Sequence, residues 1–267
     1  METPTYSIPK GRAQLGRVLR GAGEIVSVDE VSDILRIERR AASKLLARWN
    51  DQGWMRRLRR GFYTPVPLTA LGQDQVLEDP WIVVPELFGP ACIGGWSAAE
   101  HWGLTEQLFR STCVLTTRPI RAKEQTIEGI PFVLKHVRPE ALFALRPVWR
   151  GPVRIDVTNP AKTVIDMLDE PGIGGGIRHV AECLEAYLKR EDASGDELLR
   201  IADQLGNRAV FKRLGFLAER LPGQEAIAAG CRERLSQGLA KLDPSAPCPR
   251  VVTRWRLRVP PSWSGPG

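Results

Sequence analysis

The stretch SVDEVSDILRIERRAASKLLARWNDQGWMRRLRRGFYTP, residues 27–65, decides how the chain is read, because two short amphipathic patterns run there into a basic alternation. Over 28–35, Val28, Val31, Ile34 and Leu35 recur at helical spacing, with Ser27 or Asp29 placed to cap the exposed amides. A second pattern over 38–52 puts Ala42, Leu45, Leu46 and Trp49 on one stripe, which predicts a helix buried along that face. The opposite face carries Arg40, Ser43, Lys44 and Ala47, with Arg39 on the flank and Arg36 ahead of the helix. Gly53 has no Cβ and suits the left-handed conformation that closes a last helical turn. Beyond it Trp54, Arg56 and Leu58 alternate with Met55 and Arg57, Arg59-Arg60-Gly61 supplies a turn, and Phe62-Tyr63-Thr64 returns before Pro65.

From Arg36 to Arg60 nine Lys/Arg stand against two acids, Glu38 and Asp51. A run of charge is ordinarily a solvated face. Here the basic positions fall opposite the apolar stripe and again at a hairpin tip, the arrangement of a helix that enters a major groove beside a basic wing. The stretch therefore reads as a winged helix-turn-helix that binds double-stranded DNA through Arg36, Arg39, Arg40, Ser43, Lys44, Arg56, Arg57, Arg59 and Arg60. A helix over 10–23, with Leu15, Val18 and Leu19 facing inward, completes a first domain of residues 1–68.

The net charge of +7 is unevenly spread over the 267 residues. Residues 1–68 carry a net of +6, residues 69–249 a net of −3, and the last eighteen +4 with no acid. That distribution points to a polyanion-binding surface near the N-terminus and a second basic contribution from the tail. The five cysteines form no CxxC pair, which favours reduced thiols in a cytoplasmic protein over a zinc site or a disulfide framework. No apolar run of membrane-spanning length occurs, and no targeting segment is read at the start.

The fold class expected is α+β, the winged helix-turn-helix being followed by a mixed α/β domain over 69–243 with its strands early and its helices late. A short helix is expected over 70–77. Ser97 with Glu100 spells a capping box for a helix from Ser97, and 113–117, 132–137 and 153–157 have the β-branched content of strands. Asn159-Pro160 opens a further helix, the glycines of 172–176 make an interhelical turn, and helices follow near 177–188, 195–205, 208–221 and 224–242. Residues 244–267 form a basic C-terminal segment, with Arg254, Arg256 and Arg258 alternating against Trp255 and Leu257 in a solvated edge strand before a disordered tail.

Catalytic chemistry is hard to assemble from these residues. The glycine cluster lacks a following Lys-Ser/Thr and follows a helix, so neither phosphate-loop pattern is met. Asp156, Asp166 and Asp169 near Lys162 resemble part of a metal-dependent nuclease site, but Lys162 follows Pro160-Ala161 rather than an acid-x-lysine triplet. An ion pair of Lys162 with Asp156 or Asp166 accounts for them as well. His101, His136 and His179 show no ligand spacing. The expectation is a protein that is not an enzyme and needs no cofactor and no metal.

Four segments together carry a family resemblance: GWMRRLRRGFY (53–63), GWSAAEHWGLTEQ (95–107), VTNPAKTVIDML (157–168) and RLGFL (213–217). In that succession the chain resembles the AbiEi-type antitoxins, the transcriptional regulators paired with nucleotidyltransferase toxins in type IV toxin-antitoxin systems and related phage-defence loci. The resemblance implies an N-terminal domain that binds an inverted-repeat operator in its own promoter and a C-terminal domain that neutralises the toxin without stable binding to it; an inverted repeat would take two protomers per site. A stand-alone regulator whose second domain senses a ligand or partner is the other reading.

Overall fold

A computed structural model of the chain describes residues 10–66 and 79–263, so the helix expected over 70–77 lies outside the described residues. The protein is mixed α and β, with helices first and the main sheet in the middle of the sequence. It packs into two units, one of residues up to 78 together with Ile127–Gly129, the other of Asp79–Thr126 with Ile130–Gly267.

The first unit holds α1 (Lys10–Gly21), α2 (Val28–Leu35) and α3 (Arg39–Asp51) with a small sheet of β1 (Val26–Ser27), β2 (Met55–Arg59) and β3 (Phe62–Pro65), ordered β1-β3-β2. Ser27 starts α2 through a reciprocal capping box: its Oγ accepts the Glu30 N–H at 3.1 Å, and the Glu30 carboxylate accepts the Ser27 N–H at 2.7 Å. The stripe positions Val28, Val31, Leu35, Ala42, Leu46 and Trp49 are buried and meet Val18, Val26, Met55 and Tyr63 in one core. Two details depart from the sequence reading. Leu19, expected inside, is 42% exposed, because α1 packs through Val18 and Leu15 and its next residue turns toward water. The strict alternation expected in β2 is broken by a bulge between Arg57 and Arg59, which gives the extra residue, Leu58, a buried position like that of Met55.

The second unit is built on a six-stranded mixed sheet, β4 (Ala91–Ile93), β5 (Thr112–Thr116), β6 (Glu124–Ile127), β7 (Ile130–His136), β8 (Leu145–Arg150) and β9 (Val153–Thr158), in the order β6-β7-β5-β4-β9-β8. β5 pairs parallel with β7 and β4 with β9, whereas β4–β5 and β8–β9 are antiparallel. Its helices are α4 (Val84–Phe88), α5 (Gly95–His101), α6 (Pro160–Asp169), α7 (Ile177–Leu188), α8 (Gly195–Leu205), α9 (Arg208–Ala218) and α10 (Glu225–Arg232). α6 is the central element, buried from Pro160 to Leu168 and packed against α5, α7, α8 and α9. Asn159 caps it, accepting the Lys162 N–H at 2.7 Å, and Pro160 occupies the first turn, where a missing N–H costs nothing.

The capping box expected at Ser97 does not form. α5 begins two residues earlier, at Gly95, whose φ of +52° and close approach to the Ile173 carbonyl leave no room for a Cβ. Ser97 Oγ instead accepts the Cys113 N–H at 2.9 Å and ties the helix to β5. The helix expected over 224–242 ends at Arg232, because Ala240–Lys241 (β10) leave the helical path to pair in parallel with β12 (Leu257–Val259). β11 (Arg250–Val252) pairs on the other side. The single edge strand expected at the C-terminal end is thus two short strands joined by a 3-10 turn at Thr253–Trp255, and β12 is the central strand of its sheet. Trp255, Leu257 and Val259 are buried in the same core as α6 to α9, so this stretch is an integral part of the second unit rather than an appendage.

Candidate nucleic-acid interface

The three residues Arg36–Glu38 separate α2 from α3. Arg36 closes α2 in the left-handed conformation, φ +54° and ψ +51°, its N–H reaching the Asp33 and Ser32 carbonyls. Ser32 Oγ donates to the Ile37 carbonyl at 2.6 Å and the Ile37 N–H bonds the Ser32 carbonyl at 3.1 Å, so the turn is held from both sides. With Ala42, Leu46 and Trp49 buried, the helical period leaves Arg40, Ser43, Lys44 and Ala47 together on the exposed face of α3. Arg39, also exposed, is tied to Asp29 on α2 by a 2.6 Å ion pair; that hydrogen bond, with the carboxylate's charge, holds its guanidinium above the ordinary value.

The β2–β3 hairpin is fastened to the helices at three points. Trp54 N–H bonds the Trp49 carbonyl at 2.9 Å, Arg57 N–H bonds Asn50 Oδ1 at 3.0 Å, and Val28 N–H bonds the Gly61 carbonyl at 3.1 Å. Arg57 and Arg60 are exposed on it. Arg59 is half-buried with its guanidinium 4.7 Å from the Phe62 ring centroid, and Arg56 is half-buried with Nη1 3.2 Å from Glu128 Oε2.

The nine basic or hydroxyl residues singled out from sequence therefore divide. Arg36, Arg40, Ser43, Lys44, Arg57 and Arg60 present open side chains, whereas Arg39, Arg56 and Arg59 are engaged within the unit. Arg48, four residues beyond Lys44 and exposed, belongs with the outward cations of α3. The i, i+4 step from Lys44 to Arg48 was the signal for it. Cations on such a surface attract polyanions through charge alone.

In the second unit the carboxylates near Lys162 are already engaged. Lys162, fully buried, gives its ammonium to Asp166 one helical turn on and lies 4.7 Å from the Phe143 ring centroid, which chooses Asp166 rather than Asp156 as its partner. Burial pushes the Asp166 carboxyl up, opposed by the charges of Lys162 and Lys135. Burial acts on Asp169 in the same sense, but Lys135, at 2.6 Å, and Asn207 outweigh it and hold that carboxyl below its usual range. Asp156 faces Arg154 at 3.2 Å. His179 bridges the Gly174 carbonyl and the Thr105 hydroxyl at 2.6 and 2.7 Å, and all five cysteines are buried and free. Burial pushes the Cys113, Cys183 and Cys231 thiols up to about 12, so they stay protonated core fillers at neutral pH.

Compared with known protein families the chain matches no family model, and it matches no curated protein. No helix among the described residues is long and apolar enough to cross a membrane.

Proposed function

We propose that the first unit is a winged helix-turn-helix and that the chain is a DNA-binding transcriptional autorepressor. In keeping with the resemblance carried by its four motifs, it also acts as the cytoplasmic antitoxin of a type IV toxin-antitoxin system, countering a nucleotidyltransferase toxin without stably binding it. The observation that carries the DNA reading is the two-faced α3: Ala42, Leu46 and Trp49 are buried while Arg40, Ser43, Lys44 and Arg48 stand in water, beside a hairpin bearing Arg57 and Arg60. A helix of this cross-section fits a major groove, and a palindromic operator would take two protomers.

The test is a titration of the purified protein against its own promoter fragment and against unrelated DNA. Arg40→Ala/Lys44→Ala weakens operator binding by about 1–3 kcal/mol for each base-reading side chain and lowers the preference for the operator. Arg57→Ala/Arg60→Ala weakens all DNA alike and reduces the slope of log affinity against log salt by about 0.9 for each phosphate no longer neutralised. Operator affinity and preference unchanged in Arg40→Ala/Lys44→Ala remove α3 from recognition. The alternative of a stand-alone regulator with a sensing second domain is favoured by one observation, a polar cleft in the second unit.

A further inference from the structure

That cleft, of about 370 Å³, lies wholly within the second unit, between the 3-10 turn Pro80–Val83, the outer side of α5 and the segment that enters β5. Its volume is in the range of small-molecule sites. One wall is aromatic. Trp81 is set by Asp79, whose Oδ1 accepts the Trp81 N–H at 2.9 Å, and the guanidinium of Arg150 lies 5.2 Å from the indole centroid. His101 meets Trp81 edge-on at 5.3 Å, and Phe109, which also lines the cleft, is stacked on Trp96 at 5.0 Å and 14°. Arg150 Nε stands 3.1 Å from Asp79 Oδ2 but makes no hydrogen bond, so the pair is a charge contact that fixes the guanidinium beside the indole.

The polar groups define the chemistry of this cleft. Glu100, His101, Arg110, Ser111 and Thr112 all line it, and none of their side chains has a hydrogen-bond or ion-pair partner among the described residues. Ser97 Oγ accepts the Cys113 N–H and keeps its own hydroxyl proton to donate. His101 and Ser111 are half-buried and Thr112 is buried, while Glu100 and Arg110 are exposed beside them; polar groups left without a protein partner around one concavity are the pattern of a ligand site. Burial, together with the charge of Arg150, keeps the His101 imidazole below its ordinary pKa, so at neutral pH it offers one donor and one acceptor. With Asp79 engaged by Arg150 and the Trp81 amide, the uncommitted charges are one cation, Arg110, and one anion, Glu100.

We propose that this cleft binds a nucleoside 5′-monophosphate. The base lies against the aromatic rings of Trp81 and Phe109, which offer contact to any base. Glu100 accepts from an exocyclic amino group. The phosphate goes to Arg110 and the neighbouring hydroxyls of Ser111 and Thr112, whose several donors match a three-oxygen anion better than a two-oxygen carboxylate. The second unit then has a nucleotide-binding site of its own, and this inference stands whether or not the DNA reading does.

Equilibrium dialysis of the full chain with AMP, GMP, CMP and UMP, the matching nucleosides, inorganic phosphate and L-phenylalanine tests it. The expected result is saturable 1:1 binding of at least one monophosphate, with its nucleoside at least tenfold weaker. Arg110→Ala reduces monophosphate binding at least tenfold and leaves the nucleoside unchanged, while Glu100→Gln weakens the amino-bearing bases and spares UMP. Trp81→Leu weakens all ligands and Trp81→Phe restores them, which separates stacking from misfolding; the melting temperature of Arg110→Ala is at the wild-type level. Absence of saturable binding for all four monophosphates at millimolar concentration, monophosphate binding unaffected by Arg110→Ala, or tighter binding of L-phenylalanine than of any monophosphate overturns the proposal.

Discussion

Replacing Lys162 alone is expected to cost the second unit much of its stability, and replacing it together with its partner is not. Lys162 is fully buried and Asp166 is 3% exposed, both on α6 in the central core that holds Ala161, Val164 and Ile165. Asp166 Oδ2 has no partner, so the pair's attraction rests on Oδ1 alone. Lys162→Met leaves a carboxylate in that interior with its nearest cation gone, a change worth about 3–5 kcal/mol in buried pairs of this kind. For a unit of this size the same loss reads as roughly 2–4 °C per kcal/mol in the melting temperature. Lys162→Met/Asp166→Leu removes both charges and keeps the volume, and is expected within about 1 kcal/mol of the wild type or above it. The deficit of the single variant also has a pH signature. Without Lys162 the folded-state pKa of Asp166 moves further above its unfolded value, so stability is regained toward low pH, where the carboxyl is neutral in both states, and lost as pH rises through the folded value. Urea unfolding at a series of pH values measures all three effects. A single variant within about 1 kcal/mol of the wild type at pH 7, or a double variant no better than the single one, refutes the claim that this pair is a buried structural ion pair.

Three further outcomes are expected. Asp169→Asn lowers stability at pH 7 by about 1.5–3 kcal/mol by removing the charged hydrogen bond to Lys135; because the folded pKa of Asp169 is depressed, its contribution is present above the unfolded value of about 3.9 and fades as pH falls through the folded one, so the two urea curves converge in acid. Gly215→Ala drives a methyl into the buried indole of Trp255 and to 2.8 Å from Cys231 Cβ, and is expected to cost about 1–3 kcal/mol or more by thermal unfolding, with Ser as damaging as Ala. Ser27→Ala removes one half of the capping box of α2 and is expected to lower the stability of the first unit by about 1 kcal/mol, read by hydrogen exchange of the α2 amides.

The sequence was most legible where local chemistry and burial agree. The stripes of Val28 to Leu35 and Ala42 to Trp49, the cap at Ser27, the glycine at 53 and the cap and proline at 159–160 each specify an element without help from distant residues, and those elements occur within a residue or two of the expected bounds. It was less legible where a strand is short or charged. β8, reading LRPVWR with a proline in its middle, carries no strand pattern, and exists because β9 supplies a partner along its whole length from Leu145 to Arg150. Ser97 spells a cap but serves β5, since Gly95 can start the helix earlier against the Ile173 carbonyl. At the candidate interface the types and spacing of Arg40, Ser43 and Lys44 were readable, whereas the engagement of Arg39 by Asp29, and of Arg56 by Glu128 seventy-two residues away, was not.

By itself, then, the amino-acid order determined the amphipathic helices, their ends and the concentration of positive charge between Arg36 and Arg60, because periodicity and capping act over one or two turns. Tertiary structure decided which of those charges remain open to a partner, which carboxylate Lys162 takes, and that the strand at Leu257 lies in the centre of its sheet rather than at its edge. It also decided that Trp81, Glu100, Arg110 and Arg150 share one cleft. Those outcomes depend on interactions between residues far apart in the chain, whose free energy is set by burial and by the partner each group finds on folding, and no local pattern encodes them.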